Sequence, residues 1–263
     1  MDVLVVGAGE MGTWFGRTLA AERDDVSVAV TDLDSDAADR AADALEGRSV
    51  PATTDERFDL ACFAVPIPAV ESAVESWADH ADRALVDVTG VMEPALQAMA
   101  AAAPDRERVS FHPLFAPARA PGNVAVVADA PGPTTDGVRA ALADAGNALF
   151  ETSAADHDEA METVQARAHA AVLAFGLAAE DVSEEFHTPV SEALFDLVGR
   201  VAHNEPRVYA DIQETFRGAE DVAEAAGRLA DADAEGFADL YRSVGDRDWT
   251  TGATEREDHT DSS

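Results

Sequence analysis

The segment Gly7-Ala8-Gly9-Glu10-Met11-Gly12 directly follows the apolar run Val3–Val6 and opens a stretch, Met11–Glu22, with helical periodicity. A strand that passes through a glycine turn into a helix starts a βαβ unit, which commits the chain to a parallel sheet with crossover helices. Gly7 permits the tight turn, Gly9 lets the backbone approach a pyrophosphate, and Gly12 allows the helix to pack closely on the strand. The free N–H groups where the helix begins, at Glu10 and Met11, suit phosphate oxygens. Asp32 ends the next apolar run, Val26–Thr31, 20 residues beyond Gly12. A carboxylate there accepts hydrogen bonds from the adenosine ribose hydroxyls and repels a 2′-phosphate, so the expected cofactor is NAD rather than NADP. A chance glycine turn with a capping Asp would explain the glycines alone, but not strand, turn, helix and acid in register. Arg40 reads as part of a solvated helix face.

The same rhythm continues through the first half. Apolar runs at Leu60–Val65, Ala84–Val88, Val109–His112, Val124–Ala128 and Ala148–Phe150 read as strands. Helices are expected near Asp36–Leu45, Ala69–Trp77 and Gly137–Ala145. After Thr152 strand-like runs vanish, and an Ala-, Glu- and Leu-rich helical pattern runs to about Val244. The expected architecture is α/β: a Rossmann-like, mostly parallel sheet domain over 1–152, then an all-helical domain over 153–245. Residues 246–263 are polar, charged and nearly free of apolar side chains, and read as a disordered acidic tail.

The 263 residues include 52 acids against 18 bases, a formal net charge of −34, and every base is arginine. So acidic a surface repels phosphate backbones and anionic lipid, which argues against nucleic-acid and membrane partners. The acids are interspersed with Ala, Val and Leu, the pattern of a folded, haloarchaeal-type protein from a salt-rich cytoplasm. At molar salt the Debye length falls to ~3 Å, and repulsion between surface carboxylates is screened. An ordinary acidic bacterial enzyme is the alternative. The single cysteine, Cys62, lies in an apolar run and reads as a buried structural thiol, and no metal site is expected. With no basic leader and no apolar run of about 18 residues, the chain is expected to be soluble and cytoplasmic.

Chemistry should gather at the carboxyl edge of the sheet. Ala64-Val65-Pro66 closes one strand there, so Val65 and Pro66 are candidate cofactor contacts. Asp87-Val88-Thr89-Gly90 closes another, and His112-Pro113-Leu114-Phe115 the next. Pro113 biases His112 toward an extended backbone at the strand end, where an imidazole can accept a proton near neutral pH; a histidine merely capping a strand is the bland alternative. His157, Met161, Gln165 and His169 recur every four residues and form one slanting helical stripe. On periodicity alone His169, in apolar surroundings, reads as a satisfied core histidine. Arg200 sits inside the apolar stretch Leu197–Ala202, where a buried guanidinium needs a partner such as an anionic ligand.

Taken in this order, these residues resemble the prephenate dehydrogenase family over about residues 1–217. The glycine motif is shared by many dehydrogenases. Asp87-Val88-Thr89, His112-Pro113-Leu114-Phe115, His157-Asp158-x-x-Met161-x-x-x-Gln165-x-x-x-His169 and the segment from Thr188-Pro189 through Gly199-Arg200 to Tyr209-Ala210-Asp211-Ile212 are more specific. The resemblance implies NAD-dependent oxidative decarboxylation of prephenate to 4-hydroxyphenylpyruvate in tyrosine biosynthesis. It implies that His112 draws off the ring hydroxyl proton, that Arg200 clamps a substrate carboxylate, that His169, beside Gln165, lines the ring pocket, and that the helical half forms a homodimer. Two positions depart from the pattern: Gly90 and Met92 stand where the family usually carries serine and lysine. Gly90 leaves the orientation of His112 to Thr89 or to water, and Arg119 is the candidate replacement cation. Rival readings are arogenate dehydrogenase, an imine or hydroxyacid reductase of similar layout, and a non-catalytic NAD-binding regulatory protein.

Overall fold

The computed structural model describes residues Met1–Arg247; the tail expected over 246–263 lies, from residue 248 on, outside the described residues. The sheet strands are β1 (Asp2–Val6), β2 (Ser27–Thr31), β3 (Arg48–Ser49), β4 (Phe58–Phe63), β5 (Ala81–Asp87), β6 (Glu107–Pro113), β7 (Asn123–Ala130) and β8 (Ala148–Glu151). Their spatial order is β3-β2-β1-β4-β5-β6-β7-β8. All neighbours run parallel except β6 and β7, which pair antiparallel from Arg108↔Ala130 to Pro113↔Val124. The connecting helices are α1 (Glu10–Glu22), α2 (Ser35–Ala44), α3 (Val70–Trp77), α4 (Glu93–Ala102) and α5 (Pro133–Asp144).

Alternate residues of each strand face opposite layers, so a sheet covered on both faces needs strands that are apolar throughout. Val3 and Val5 pack with Phe15 and Leu19 of α1, Ala41 of α2 and Leu142 of α5. Leu4 and Val6 pack with Val74 and Trp77 of α3 and Leu96 and Met99 of α4. The strand order reverses between β1 and β4, which opens a crevice beyond their carboxyl ends.

The strands expected from the sequence are present, with ends shifted by up to three residues. Two elements were not anticipated. β3 is a two-residue edge strand, too short to leave a pattern. α4 carries its Ala-rich sequence behind Pro94 in the first turn, where proline starts helices.

Beyond β8 the chain is helical: α6 (Ala154–Met161), a π-helical turn over Glu162–Arg167, α7 (Ala168–Ala178), α8 (Pro189–Ala202), α9 (Pro206–Thr215), α10 (Gly218–Asp231) and α11 (Ala234–Gly245). Val91, Met161, Ala166, Ile212 and Phe216 form a small core of their own, with Ile67 and Leu114 packed against it. That core fastens α6, the π turn and α9 onto the loops that follow β4, β5 and β6. Compactness therefore divides the chain elsewhere than at 152: Met1–Gly218 is one compact unit and the residues from Ala219 on are another. The boundary expected near 152 is a change from sheet to helix inside one unit. In the second unit, α11 is capped by Asp233, whose carboxylate accepts from the Gly236 N–H at 2.9 Å. Among the described residues no helix is long and apolar enough to cross a membrane.

Candidate active site

The glycine loop is shaped by two close approaches and one opening. Gly7 has φ +107°, and a Cβ there would lie 2.3 Å from the Ala64 carbonyl oxygen, so no side chain fits. A Cβ on Gly12 would lie 2.2 Å from the Gly7 oxygen. At Gly9 a Cβ would meet nothing within 4 Å. Gly9 caps α1 without a side-chain hydrogen bond, so the first N–H groups of the helix, Glu10 and Met11 among them, receive no side-chain cap. Asp32 supports this loop from below: its Oδ2 accepts from the Ala8 N–H at 2.8 Å and its Oδ1 from the Asp34 N–H at 2.9 Å. Val65 closes on Gly7 from the β4 side, next to Pro66.

A cleft of about 470 Å³ adjoins the loop, with Gly9, Glu10, Trp14, Arg17, Arg40 and Pro117 on its walls. Arg40 is thus a wall of the cleft as well as an exposed residue, and it makes a 3.7 Å ion pair with Asp34. Arg119 ends the short turn Pro117–Arg119 that borders the same cleft, and its side chain is exposed.

His112 lies at the end of β6, buried, with two neighbours on the helical segment. Its Nδ1 is 2.8 Å from His157 Nε2, and its Nε2 is 3.5 Å from Gln165 Nε2. Gly90 adjoins the same nitrogen: a Cβ on Gly90 would stand 3.9 Å from His112 Nε2 and 3.4 Å from Ile67 Cδ1. Burial pushes the His112 imidazole down to about 3, and charge on His157 adds to the effect. His112 is therefore neutral across the physiological range. His157 Nδ1 in turn lies 2.7 Å from Asp158 Oδ1. Asp158 accepts the Met92 N–H at 3.0 Å and the Glu93 N–H at 3.2 Å, at the start of α4. Burial alone would raise this carboxyl, but the hydrogen bonds from His157 and the two N–H groups outweigh it and hold it below the usual carboxylate range.

Thr89 is committed elsewhere. Its hydroxyl oxygen lies 2.6 Å from Asp87 Oδ2 and 2.9 Å from the Val91 carbonyl oxygen. Burial pushes the fully enclosed Asp87 carboxyl up to about 7, against hydrogen bonds from Thr89 that lower it. The Thr89 hydroxyl is thus occupied between the Asp87 carboxyl and the Val91 carbonyl. On its Nδ1 side the partner of His112 is therefore His157 rather than Thr89. Met92 is completely buried.

The helical stripe is not a regular α-helix. The π turn, with i→i+5 hydrogen bonds, contains Gln165, and such turns are frequent at functional sites. Gln165 Oε1 and His169 Nδ1 are both buried without a hydrogen-bond partner. His169 packs edge-on against Tyr209, with ring centroids 4.7 Å apart. Burial lowers the His169 imidazole below its ordinary value. Asn204 Nδ2 donates to the Tyr209 hydroxyl at 2.8 Å and to the backbone carbonyl oxygen of Arg200 at 2.6 Å, which ties the end of α8 to the ring that His169 packs against. The Arg200 side chain is exposed, which corrects the expectation of a buried guanidinium: neighbouring Leu197 is 42% exposed too, because nothing among the described residues covers that face of α8.

In the sequence pattern His157 and Asp158 stand only as part of the helical stripe, without a chemical role. The one available signal was an adjacent His-Asp pair within the first turns of a helix capped by Ser153.

No family model matches the chain. It is 33% identical over 276 residues to 4-amino-4-deoxyprephenate dehydrogenase of Streptomyces pristinaespiralis, covering 92% of this chain and 89% of that protein. It is 24% identical over 225 residues to a probable arogenate/prephenate dehydrogenase of Methanocaldococcus jannaschii, of which it spans 50%. Its fold matches the solved structure of prephenate dehydrogenase from Aquifex aeolicus in complex with hydroxyphenyl propionate and NAD+, with a TM-score of 0.70 at 17% identity over 93% of this chain and 96% of that one. Identity of one third over nearly the whole of both chains, on a matching fold, means that the chain belongs to the prephenate dehydrogenase family.

Proposed function

We propose that this protein catalyses the NAD-dependent oxidative decarboxylation of prephenate to 4-hydroxyphenylpyruvate. The observation that carries the reading is a buried, neutral His112 whose Nε2 faces Gln165 and the gap at Gly90, on the same sheet edge as the glycine loop. The open space at Gly9, the uncapped start of α1 and the Asp32 carboxylate fit a dinucleotide, with Gly7, Gly12, Val65 and Pro66 shaping its seat. NAD, when bound, supplies the hydride acceptor. His112 Nε2 accepts the proton of the ring hydroxyl, and loss of CO₂ with aromatisation makes the overall change irreversible. Gln165 Oε1 and His169 Nδ1, both buried and unpaired, are suited to hydrogen-bond the substrate. Arg200 and Arg119 supply the cations for its carboxylates.

In this reading residues 1–152 hold the cofactor, residues 153–218 complete the substrate pocket, and the helical half over 153–245 forms a homodimer. Leu177, Phe186 and Val190, at 89%, 77% and 71% exposure, support such an interface. The acidic, lysine-free surface is that of a cytoplasmic enzyme working at molar salt, of haloarchaeal type.

A second reading is favoured by the Streptomyces relative and by the gap at Gly90, which leaves His112 Nε2 without a serine hydroxyl beside it: a substrate bearing an amino group in place of the ring hydroxyl. Arogenate differs instead at the side chain. NADH formation in molar KCl, with prephenate, arogenate and 4-amino-4-deoxyprephenate in parallel, separates the three. Turnover with prephenate is expected, and His112→Asn should retain NAD binding while losing turnover by roughly 10²–10⁴-fold. Bound NAD with no turnover of any of the three would point instead to a non-catalytic NAD-binding protein.

A further inference from the structure

The contacts beneath His112 form a chain with a direction. Asp158 is fastened by the Met92 and Glu93 N–H groups, both of which donate to it, so its oxygens act as acceptors. The ring nitrogen 2.7 Å away, His157 Nδ1, must then carry the proton. In a neutral His157 this leaves Nε2 as an acceptor, and the nitrogen 2.8 Å from it, His112 Nδ1, must be the donor. The remaining nitrogen of His112, Nε2, is left with its lone pair toward Gln165 and Gly90.

We propose that His157 and Asp158 are positioning residues: through the chain Asp158–His157–His112 they hold His112 as the Nδ1–H tautomer and turn Nε2 into the proton-accepting atom. The proposal rests on the reading of His112 as the base, and extends it to two residues that act through His112. It also accounts for Gly90: with the ring fixed from its Nδ1 side, no hydroxyl is needed at the Nε2 side. When Nε2 takes a proton, the imidazolium keeps its Nδ1–H bond to His157, and Asp158 lies one ring further on as the compensating charge. Nothing in the chain has to rearrange during the step.

The tautomer can be read without substrate, by heteronuclear NMR of the histidine ring nitrogens in the whole protein at about pH 8, above the ordinary imidazole range. The expected spectrum has His112 protonated at Nδ1 and bare at Nε2. A proton on Nε2 overturns the proposal, and so does an imidazolium at His157, which would reverse the direction of the chain. Two variants add a kinetic readout. His157→Phe removes the acceptor; His112 should lose its fixed tautomer and kcat should fall on the order of a hundredfold, with KM for NAD unchanged. His157→Gln places an amide oxygen near the lost Nε2 and should recover much of both. Equal losses in the two variants with the His112 tautomer intact would leave His157 a purely structural residue. If neither variant folds, the wild-type spectrum still decides. An enzyme that is silent with every substrate yet carries Nδ1–H on His112 would sink the functional reading and spare the relay; turnover of prephenate with Nε2–H would do the reverse.

Discussion

The sheet layers and the helices α6–α9 belong to one compact unit, yet they are built on different terms. In the sheet, Val3, Leu4, Val5, Phe63, Leu85 and Val86 are completely buried, each face served by its own helices. In the helices the buried apolar residues are few, namely Met161, Ala166, Ala170, Ile212 and Phe216, while Leu177, Phe186, Val190 and Val208 lie more than half exposed. The sheet completes its core within one chain. The helices complete theirs only at the seam with the sheet and leave the far side uncovered. A surface of that kind is costly in water unless something else covers it, at roughly 25 cal/mol for each Å² of apolar area.

Paired charge substitutions break or sharpen this contrast most strongly. Val5→Asp sets an unpaired carboxylate in the sheet core and should unfold the chain, since its burial costs more than much of a typical stability of about 5–15 kcal/mol. Leu177→Glu, on the exposed face, should leave circular dichroism and melting of the protomer nearly unchanged but convert a dimer to monomers in sedimentation. An unchanged sedimentation coefficient would mean that this face is not the interface. Loss of fold in Leu177→Glu would mean that the helices depend on their far side for more than association.

The contrast also governs what the sequence revealed. Strands of a doubly covered sheet are continuous apolar runs, so they could be read locally, and the glycine loop, Asp32 and His112 came with them. The antiparallel direction of β7 could not, because direction leaves no mark in an apolar run. The π turn at Glu162–Arg167 was equally silent, and it shifts the phase of the His157–His169 stripe away from a simple four-residue repeat. His157 and His112 are separated by 45 positions, and only the packing of α6 on the end of β6 brings Nδ1 and Nε2 together. Arg200 was misjudged for a related reason: apolar neighbours in a helix mean burial only where a second element covers them.

Asp87 reports on the seam itself. The folded state holds its carboxyl at about 7 against an ordinary 3.8, chiefly through burial. Stability from this group is therefore fully present below about pH 4 and is lost as pH rises through 7, a span of about 4 kcal/mol at most. His112 works in the opposite sense: its imidazole is held at about 3 against an ordinary 6.5, so its contribution is lost as pH falls from about 6.5 toward 3. Between about pH 4 and 6.5 the two nearly cancel. Asp87→Asn removes one side of that balance. Its melting temperature relative to the wild type should rise between about pH 4 and 7, where the wild type alone keeps a proton that the unfolded chain has lost, and level off above that. A difference that stays flat with pH would mean that water reaches Asp87 and that the seam between sheet and helices is open.

Within the sheet half, the glycines separate packing from binding, with the smallest expected effects. Gly7→Ala demands both a positive φ and a Cβ at 2.3 Å from the Ala64 oxygen, so it should destabilise the protein by about 1–3 kcal/mol or more and weaken NAD binding as a consequence. Gly9→Ala meets no atom within 4 Å in the protein itself, so its melting temperature should match the wild type within about a degree. If a pyrophosphate occupies that space, NAD affinity measured by calorimetry should still fall at least about tenfold, or 1.4 kcal/mol. The two variants thus divide one motif into a residue the fold requires and a residue only the ligand requires. Unchanged affinity in Gly9→Ala would move the dinucleotide away from the start of α1. A loss of stability there would mean that the opening at Gly9 is closed in solution, and that this edge of the sheet is as self-contained as its core.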